Sequence, residues 1–210
     1  MDTVPPDHYF RRALPHYHPD DSPYFVTYRL KHTISQVEHT RLQATIPAHS
    51  DSDVEHAKHF QAIDFILDAA RHGPKYLRQP EVMDVVRKSF EYASEQWLDM
   101  IAYSIMPNHV HFVAHLKGEK SLSEVMQSLK GFTSREINRI LDRTGQPLWQ
   151  SEYYDRAVRK GRLGNTVYYI LQNPVKAGLV SKWYDWPGTF LSTNFDGLET
   201  LGLEIRPSGL

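Results

Sequence analysis

The chain has 210 residues, 40% of them hydrophobic and 12% aromatic, with no cysteine and a formal net charge of −1. That is enough for one domain with a buried core, and the missing thiols exclude disulfides, thiolate metal sites and cysteine nucleophiles. A charge near zero argues against a uniformly basic nucleic-acid binder but not against a local basic face. Residues 117–162 hold ten Lys and Arg against six Asp and Glu, a surplus that a solvated face also shows. No apolar run nears the roughly 20 residues of a membrane span, and residues 1–7 lack the basic and apolar regions of a signal peptide. No membrane partner is expected, and the expected location is the cytoplasm.

Residues 1–23, rich in His, Pro and Asp and containing Arg11 and Arg12, read as an extended arm. Tyr24 to Leu30 alternates β-branched and aromatic residues, a strand signal, and a polar stretch follows to about Ser52. Phe60, Ile63, Ile66, Leu67 and Ala70 carry helical spacing over Val54–Ala70, stopped by His72-Gly73-Pro74. Val82, Val85, Val86 and Phe90 predict a second helix over Pro80–Tyr92. Strands are expected over Trp97–Met106 and His109–Leu116. Ser121 and Glu124 form a capping-box signature for a helix to about Leu141, with Gly131 a weak point in its middle. Leu148–Gln150 and Tyr153–Val158 read as strand. Asn165 is placed to cap a last helix, which Pro174 should end or kink; beyond Val180 the chain reads as irregular. This order predicts an α+β fold. A small antiparallel sheet carries helices on one face, most simply as a ferredoxin-like split βαβ pair.

The stretch Ser104–Ala114 carries the most chemistry. His109 and His111 stand at i and i+2, so on a strand both point to one face. Two imidazoles there are half of a metal site, or two packed and hydrogen-bonded core histidines. His115 has the same parity but lies about 13 Å beyond His111 on a straight strand, too far for one ion. On the last helix, Tyr169 and Asn173 share a face at i and i+4. An amide oxygen is a hard donor suited to Mg²⁺ or Mn²⁺ beside histidine, and tyrosine serves some enzymes as a covalent nucleophile. A phenol with a pKa of about 10 needs an activated electrophile, which a divalent ion on a phosphate oxygen provides. Taken singly, Tyr169 also fits a core aromatic, and Asn173 a turn residue before Pro174.

Together these blocks resemble a known family. Met106-Pro107-Asn108-His109-Val110-His111, Ser121-Leu122-Ser123 and Lys130-Gly131-Phe132-Thr133-Ser134-Arg135 are similar to segments of the single-tyrosine HUH transposases. So are Leu148-Trp149-Gln150-Ser151-Glu152-Tyr153-Tyr154-Asp155-Arg156 and the stretch from Tyr169-Ile170-Leu171-Gln172-Asn173-Pro174 to Val180. Arg12-Ala13-Leu14-Pro15-His16 and Tyr24–Leu30 look like the REP-associated tyrosine transposase branch. The likeness runs in order over about residues 9–187.

The resemblance implies a ferredoxin-like fold with His109 and His111 on a central strand. It implies a divalent metal, Mg²⁺ or Mn²⁺, held by His109, His111 and Asn173, with Tyr169 as nucleophile. Asn rather than Gln at position 173 favours the REP-associated branch. The activity implied is cleavage of single-stranded DNA at hairpin-bearing ends through a 5′-phosphotyrosine, by a monomer or a homodimer, at the nucleoid. The chain then divides into an arm (1–23), a catalytic domain (24–180) and a tail (181–210). Arg11, Arg12, Lys130, Arg135 and Arg139 are candidates for phosphate contacts, and Tyr153 and Tyr154 for stacking on bases. Two departures stand out. Gly161 and Gly164 lie where relatives carry an acidic helix start, which suggests a mobile approach for the tyrosine helix. Residues 33–53 form a longer polar insertion than relatives lead one to expect. The rivals are a domesticated, non-catalytic binder of hairpin or repeat DNA and a hydrolase of small phosphates. Neither requires the full set His109, His111, Tyr169 and Asn173.

Overall fold

The computed structural model describes residues 10–11, 15–16, 22–44, 53–197 and 201–203. Within the expected arm, β1 (Phe10–Arg11) pairs antiparallel with β2 (Pro15–His16). The alternating segment that follows becomes β3 (Tyr24–Arg29). After α1 (Gln36–Ala44) and α2 (Asp53–Ala69) comes α3 (Pro80–Gln96). The strands β4 (Leu98–Ile105) and β5 (His109–Leu116) form a hairpin, and α4 (Leu122–Ile140) leads to β6 (Tyr154–Ala157). Then come α5 (Leu163–Lys176) and β7 (Thr189–Leu191).

One five-stranded antiparallel sheet holds the strands in the order β6-β3-β5-β4-β7. Its first four strands, with α3 and α4 in the crossovers, are the ferredoxin-like split βαβ pair expected from the sequence. Strand periodicity then sorts the side chains between two layers. Val26, Tyr28, Val110, Phe112 and Tyr103 pack against Val82, Val86 and Phe90 of α3 and Val125, Met126 and Leu129 of α4. On the other face Phe25 and Val113 meet Phe60 of α2 and Val167, Ile170 and Leu171 of α5. The one-face arrangement therefore holds for α3 and α4, while α2 and α5 cover the opposite face. The reason is β5 itself, whose first six residues are all buried, so both sides of the sheet need cover.

Other expectations shift. The polar stretch folds into α1, started by a capping box in which Ser35 N–H donates to Glu38 Oε2 at 2.9 Å and Glu38 N–H to Ser35 Oγ at 3.2 Å. The predicted box at Ser121 and Glu124 is present, and α4 runs through Gly131 without a break. Of Leu148–Gln150, Trp149 makes an isolated bridge to Leu30 rather than a strand. Helix α5 starts at Leu163 with Arg162 at its N-cap, so Asn165 sits in the first turn, and Pro174 lies inside the helix near its end. Gly161 makes a turn at φ 77°, whereas Gly164 packs in the helix against Leu201, where a Cβ would come within 3.1 Å of its side chain. The segment beyond Val180 is less irregular than expected: β7 extends the sheet beside β4, and the buried Trp186 donates Nε1–H to Ile105 O at 2.9 Å. No helix among the described residues is long and apolar enough to cross a membrane.

Candidate active site

The site grows from β5, where His109 and His111 are fully buried and turned toward α2 and α5. Each has a hydrogen-bond partner on its Nδ1. Asn108 Nδ2–H donates to Leu67 O at 3.1 Å, which turns Asn108 Oδ1 toward His109 Nδ1 at 2.7 Å. That acceptor calls for an Nδ1–H on His109 and leaves its Nε2 lone pair bare. His111 Nδ1 lies 2.6 Å from Thr27 Oγ1, its cross-strand neighbour on β3. The two Nε2 atoms face each other at 2.9 Å.

Two helices complete the cluster. Asp64 of α2 brings Oδ1 to 3.1 Å from His111 Nε2, and Asp68 brings Oδ1 to 3.6 Å from His109 Nε2. Asn173 of α5 is fully buried. Its amide fits its neighbours when Nδ2–H donates to both Asp68 oxygens, at 3.0 and 2.8 Å, which places Oδ1 2.8 Å from His111 Nε2. Asp64, His109 and His111 offer ligand atoms that all lie within 4.8 Å of one another.

The donor set fits a divalent cation. Two imidazole nitrogens, an amide oxygen and a carboxylate converge, and without a cation the one N–H available, on His111 Nε2, would have to serve three acceptors. Asp64 Oδ1 is buried and lacks a hydrogen-bond partner, an arrangement that costs stability unless a cation compensates. Hard oxygen atoms beside imidazole suit Mg²⁺ or Mn²⁺. Burial, reinforced by His111, holds the His109 pKa well below the usual histidine range, so its lone pair is free to ligate. Burial and then the neighbouring Asp64 push the Asp68 carboxyl up to about 7, a mark of negative charge confined in a poorly solvated space.

Tyr169 stands beside this cluster. Its ring lies 5.7 Å from that of His111, edge to face, and 5.9 Å from Phe25. Lys176 Nζ lies over it at 5.0 Å. The Tyr169 hydroxyl is buried and has no hydrogen-bond partner. A core tyrosine normally finds one, so packing alone does not account for a phenol here.

Comparison with known proteins now bears on this geometry. Residues 74–173 match the family described as "Transposase IS200 like". That match spans slightly less than half of the chain, which is similar to the IS200-like transposases over this stretch. It resembles the REP-associated branch in particular. A Haemophilus influenzae protein provisionally named a REP-associated tyrosine transposase is 26% identical over 112 residues, 48% of this chain and 64% of that protein. The match thus spans slightly less than two thirds of that relative. A solved structure of a REP-associated tyrosine transposase bound to a REP hairpin superposes with a TM-score of 0.50 at 19% identity. That superposition covers 93% of this chain and 87% of the other and supports a shared fold.

In this chain the four residues singled out from sequence, His109, His111, Tyr169 and Asn173, come together at one place. The candidate DNA contacts are spread more widely. Lys130 Nζ donates to the carbonyls of Gln150 and Ser151, both at 2.7 Å. Arg135 is exposed, and Arg139 is paired with Glu136. Tyr153 is half-buried against the α3 and α4 layer, whereas Tyr154 stacks on Phe60 at 4.2 Å on the site's face. Arg11 lies in β1, and Arg12 falls outside the described residues. Sequence reading missed Asp64, Asp68, Thr27 and Asn108. The signal for the two acids was available: Phe60, Asp64, Leu67 and Asp68 follow i, i+4, i+7, i+8 spacing, which sets two carboxylates on the buried stripe of α2.

Proposed function

We propose that the chain is a metal-dependent single-stranded DNA endonuclease and strand transferase, with Tyr169 as the nucleophile and hairpin-bearing DNA as the substrate. The observation that carries this reading is a buried, unpartnered phenol one ring contact away from converging cation ligands. In the proposed step the Tyr169 oxygen forms a bond to phosphorus and the bond from phosphorus to the 3′ oxygen breaks. The phenol proton is lost, and the 3′ oxygen leaves with a proton, giving a 5′-phosphotyrosine and a 3′-OH. Reversal on another phosphotyrosine rejoins strands without ATP. Mg²⁺ or Mn²⁺ at His109, His111, Asn173 and Asp64 would offset charge on a phosphate oxygen. Lys176 places a further positive charge beside the reacting groups.

Tyr169 and the His pair come from one chain, which supports action by a monomer; the work is assigned to the cytoplasm, at the nucleoid. The His pair is fully buried, so α2, which lies over it, has to lift for a phosphodiester to enter. That closed cover is the feature favouring the alternative, a non-catalytic binder of hairpin or repeat DNA. Incubation with Mn²⁺ and labelled hairpin DNA separates the two. The proposal expects a denaturant-stable adduct that Tyr169→Phe cannot form. DNA binding with no adduct from the native chain favours the binder.

A further inference from the structure

We propose that Arg29, Lys31, His32 and His39 form a phosphate-binding cup for the DNA strand on the leaving-group side of the cleaved bond. The proposal rests on the Tyr169 reading above and adds a second contact to it. Arg29 is the cross-strand partner of His109, so the two side chains share a face, with Cβ atoms about 5 Å apart. Its Nη1–H donates to Thr33 Oγ1 at 3.0 Å, and among the described residues it meets no carboxylate. Its side chain is half-buried. A charge partly withdrawn from water gains from a counter-ion, and among the described residues no anion meets this one.

The space in front of Arg29 is an open cup of about 240 Å³ that Lys31, His32, His39 and Gln150 also line. The nearby acid of α1 is turned to other use, because Glu38 caps the helix through Ser35. The rim is held in an unfavourable backbone conformation. His32 sits at φ 64°, and Gly73 packs so closely behind it that a Cβ there would lie 2.2 Å from His32 O. Strain kept in place by its surroundings is a recurrent property of ligand sites.

Position along β3 assigns the side of the reaction. On the site's face Phe25 meets Tyr169, Thr27 bonds to His111, and Arg29 stands opposite His109. The cup and the tyrosine therefore flank the His pair, about 13 Å apart by strand rise. In phosphoryl transfer the attacking and leaving oxygens lie roughly in line across phosphorus. A nucleophile at the Phe25 end sends the 3′-OH strand toward the Arg29 end. Holding a phosphate there would keep the 3′-OH at hand for the reverse reaction. It would also give the insertion a task, since its first turn and α1 wall the cup.

The test uses short single-stranded oligonucleotides spanning the cleavage site, with one phosphate at a time replaced by a neutral methylphosphonate. Binding is read by fluorescence anisotropy at several salt concentrations. Lys31→Ala and Arg29→Gln should each bind the native oligonucleotide about tenfold more weakly, with a salt slope smaller by about one. Neutralising the phosphate 5′ to the cleaved one should weaken the native chain equally and should cost the Lys31→Ala variant little further. Variants that fold normally, by thermal melt, and bind like the native chain would overturn the cup, as would equal losses from the neutral linkage in both. Adduct formation is followed in parallel. A Tyr169 adduct with cup-independent binding sinks the cup alone. Phosphate-coupled binding without any adduct keeps the cup as a DNA phosphate site and sinks the Tyr169 reading.

Discussion

The two faces of the central sheet are built from the same strands and do opposite work. Toward α3 and α4 the sheet presents Val26, Tyr28, Val110 and Phe112, and the helices answer with aliphatic and aromatic side chains. Toward α2 and α5 the same strands present Thr27, His109 and His111, and the helices answer with Asp64, Asp68 and Asn173. Thr27 and Tyr28 are adjacent in sequence, as are Val110 and His111, so the division is drawn residue by residue through the pleat. A face of packed hydrocarbon stabilises the fold by removing apolar area from water. A face of buried polar groups stabilises only when every group is partnered, and here Asp64 Oδ1 and the Tyr169 hydroxyl are not. One face holds the chain together, and the other keeps polar groups buried without partners.

The sharpest way to separate the faces is Tyr169→Phe. Adduct formation on hairpin DNA should fall below detection. The thermal midpoint should stay unchanged or rise, because the lost hydroxyl had no partner and its burial was a cost. A variant that melts markedly lower would place Tyr169 with the structural face instead.

Next in size is the effect of a cation. Mn²⁺ at a hundredfold excess over its Kd should stabilise the native chain by about 2.7 kcal/mol, about 5–10 °C in Tm for a chain of this length. His111→Ala should abolish that shift and the adduct together, and chelator should do the same to the native chain. Asp64→Ala tests whether α2 supplies a ligand: the Mn²⁺ concentration for half-maximal shift should rise by about tenfold or more. An unchanged Mn²⁺ response would return α2 to the role of a cover.

How much of this was readable beforehand differs between the faces. The apolar face follows from periodicity, since Val82, Val86 and Phe90 repeat at helical spacing and Tyr24–Leu30 alternates at strand spacing. The ferredoxin-like order follows from the sequence of elements. At the site, His109 and His111 declared themselves through i, i+2 spacing, and Tyr169 and Asn173 through i, i+4 spacing and family likeness. Asp64 and Asp68 did not, because a carboxylate in an apolar stripe passes as a solvent-facing break. Only the tertiary approach of α2 to β5 reveals that it points inward. The order of the cup residues was hidden for a related reason. Arg29 looks like the polar end of a strand until pairing sets it opposite His109.

The apolar face predicts the reverse of Tyr169→Phe. Phe112 is fully buried between Tyr28, at 6.5 Å, and Phe90, at 5.4 Å. Phe112→Ala should cost about 3–5 kcal/mol, measured by urea denaturation. The molecules that remain folded at low temperature should still form adduct at the native rate. A large rate loss in folded protein would mean that β5 transmits core packing to His111, and the two faces would then be coupled.

The smallest effect belongs to the cap of α4, which lies on the apolar side and touches no site residue. Ser121 Oγ accepts from Glu124 N–H at 3.3 Å, and Glu124 Oε2 accepts from Ser121 N–H at 2.9 Å. Ser121→Ala should cost about 1 kcal/mol, with adduct formation untouched. The side-chain and then the backbone hydrogen bond from Ser121 hold the Glu124 pKa below the usual carboxylate range. A depressed carboxylate contributes stability above its unfolded pKa and loses it as pH falls through the folded value. The difference in urea midpoint between the native chain and Glu124→Gln should therefore be largest near neutral pH and shrink on acidification. A difference that stays constant down to acid pH would mean that the carboxylate's charge contributes nothing and that the amide caps the helix equally well.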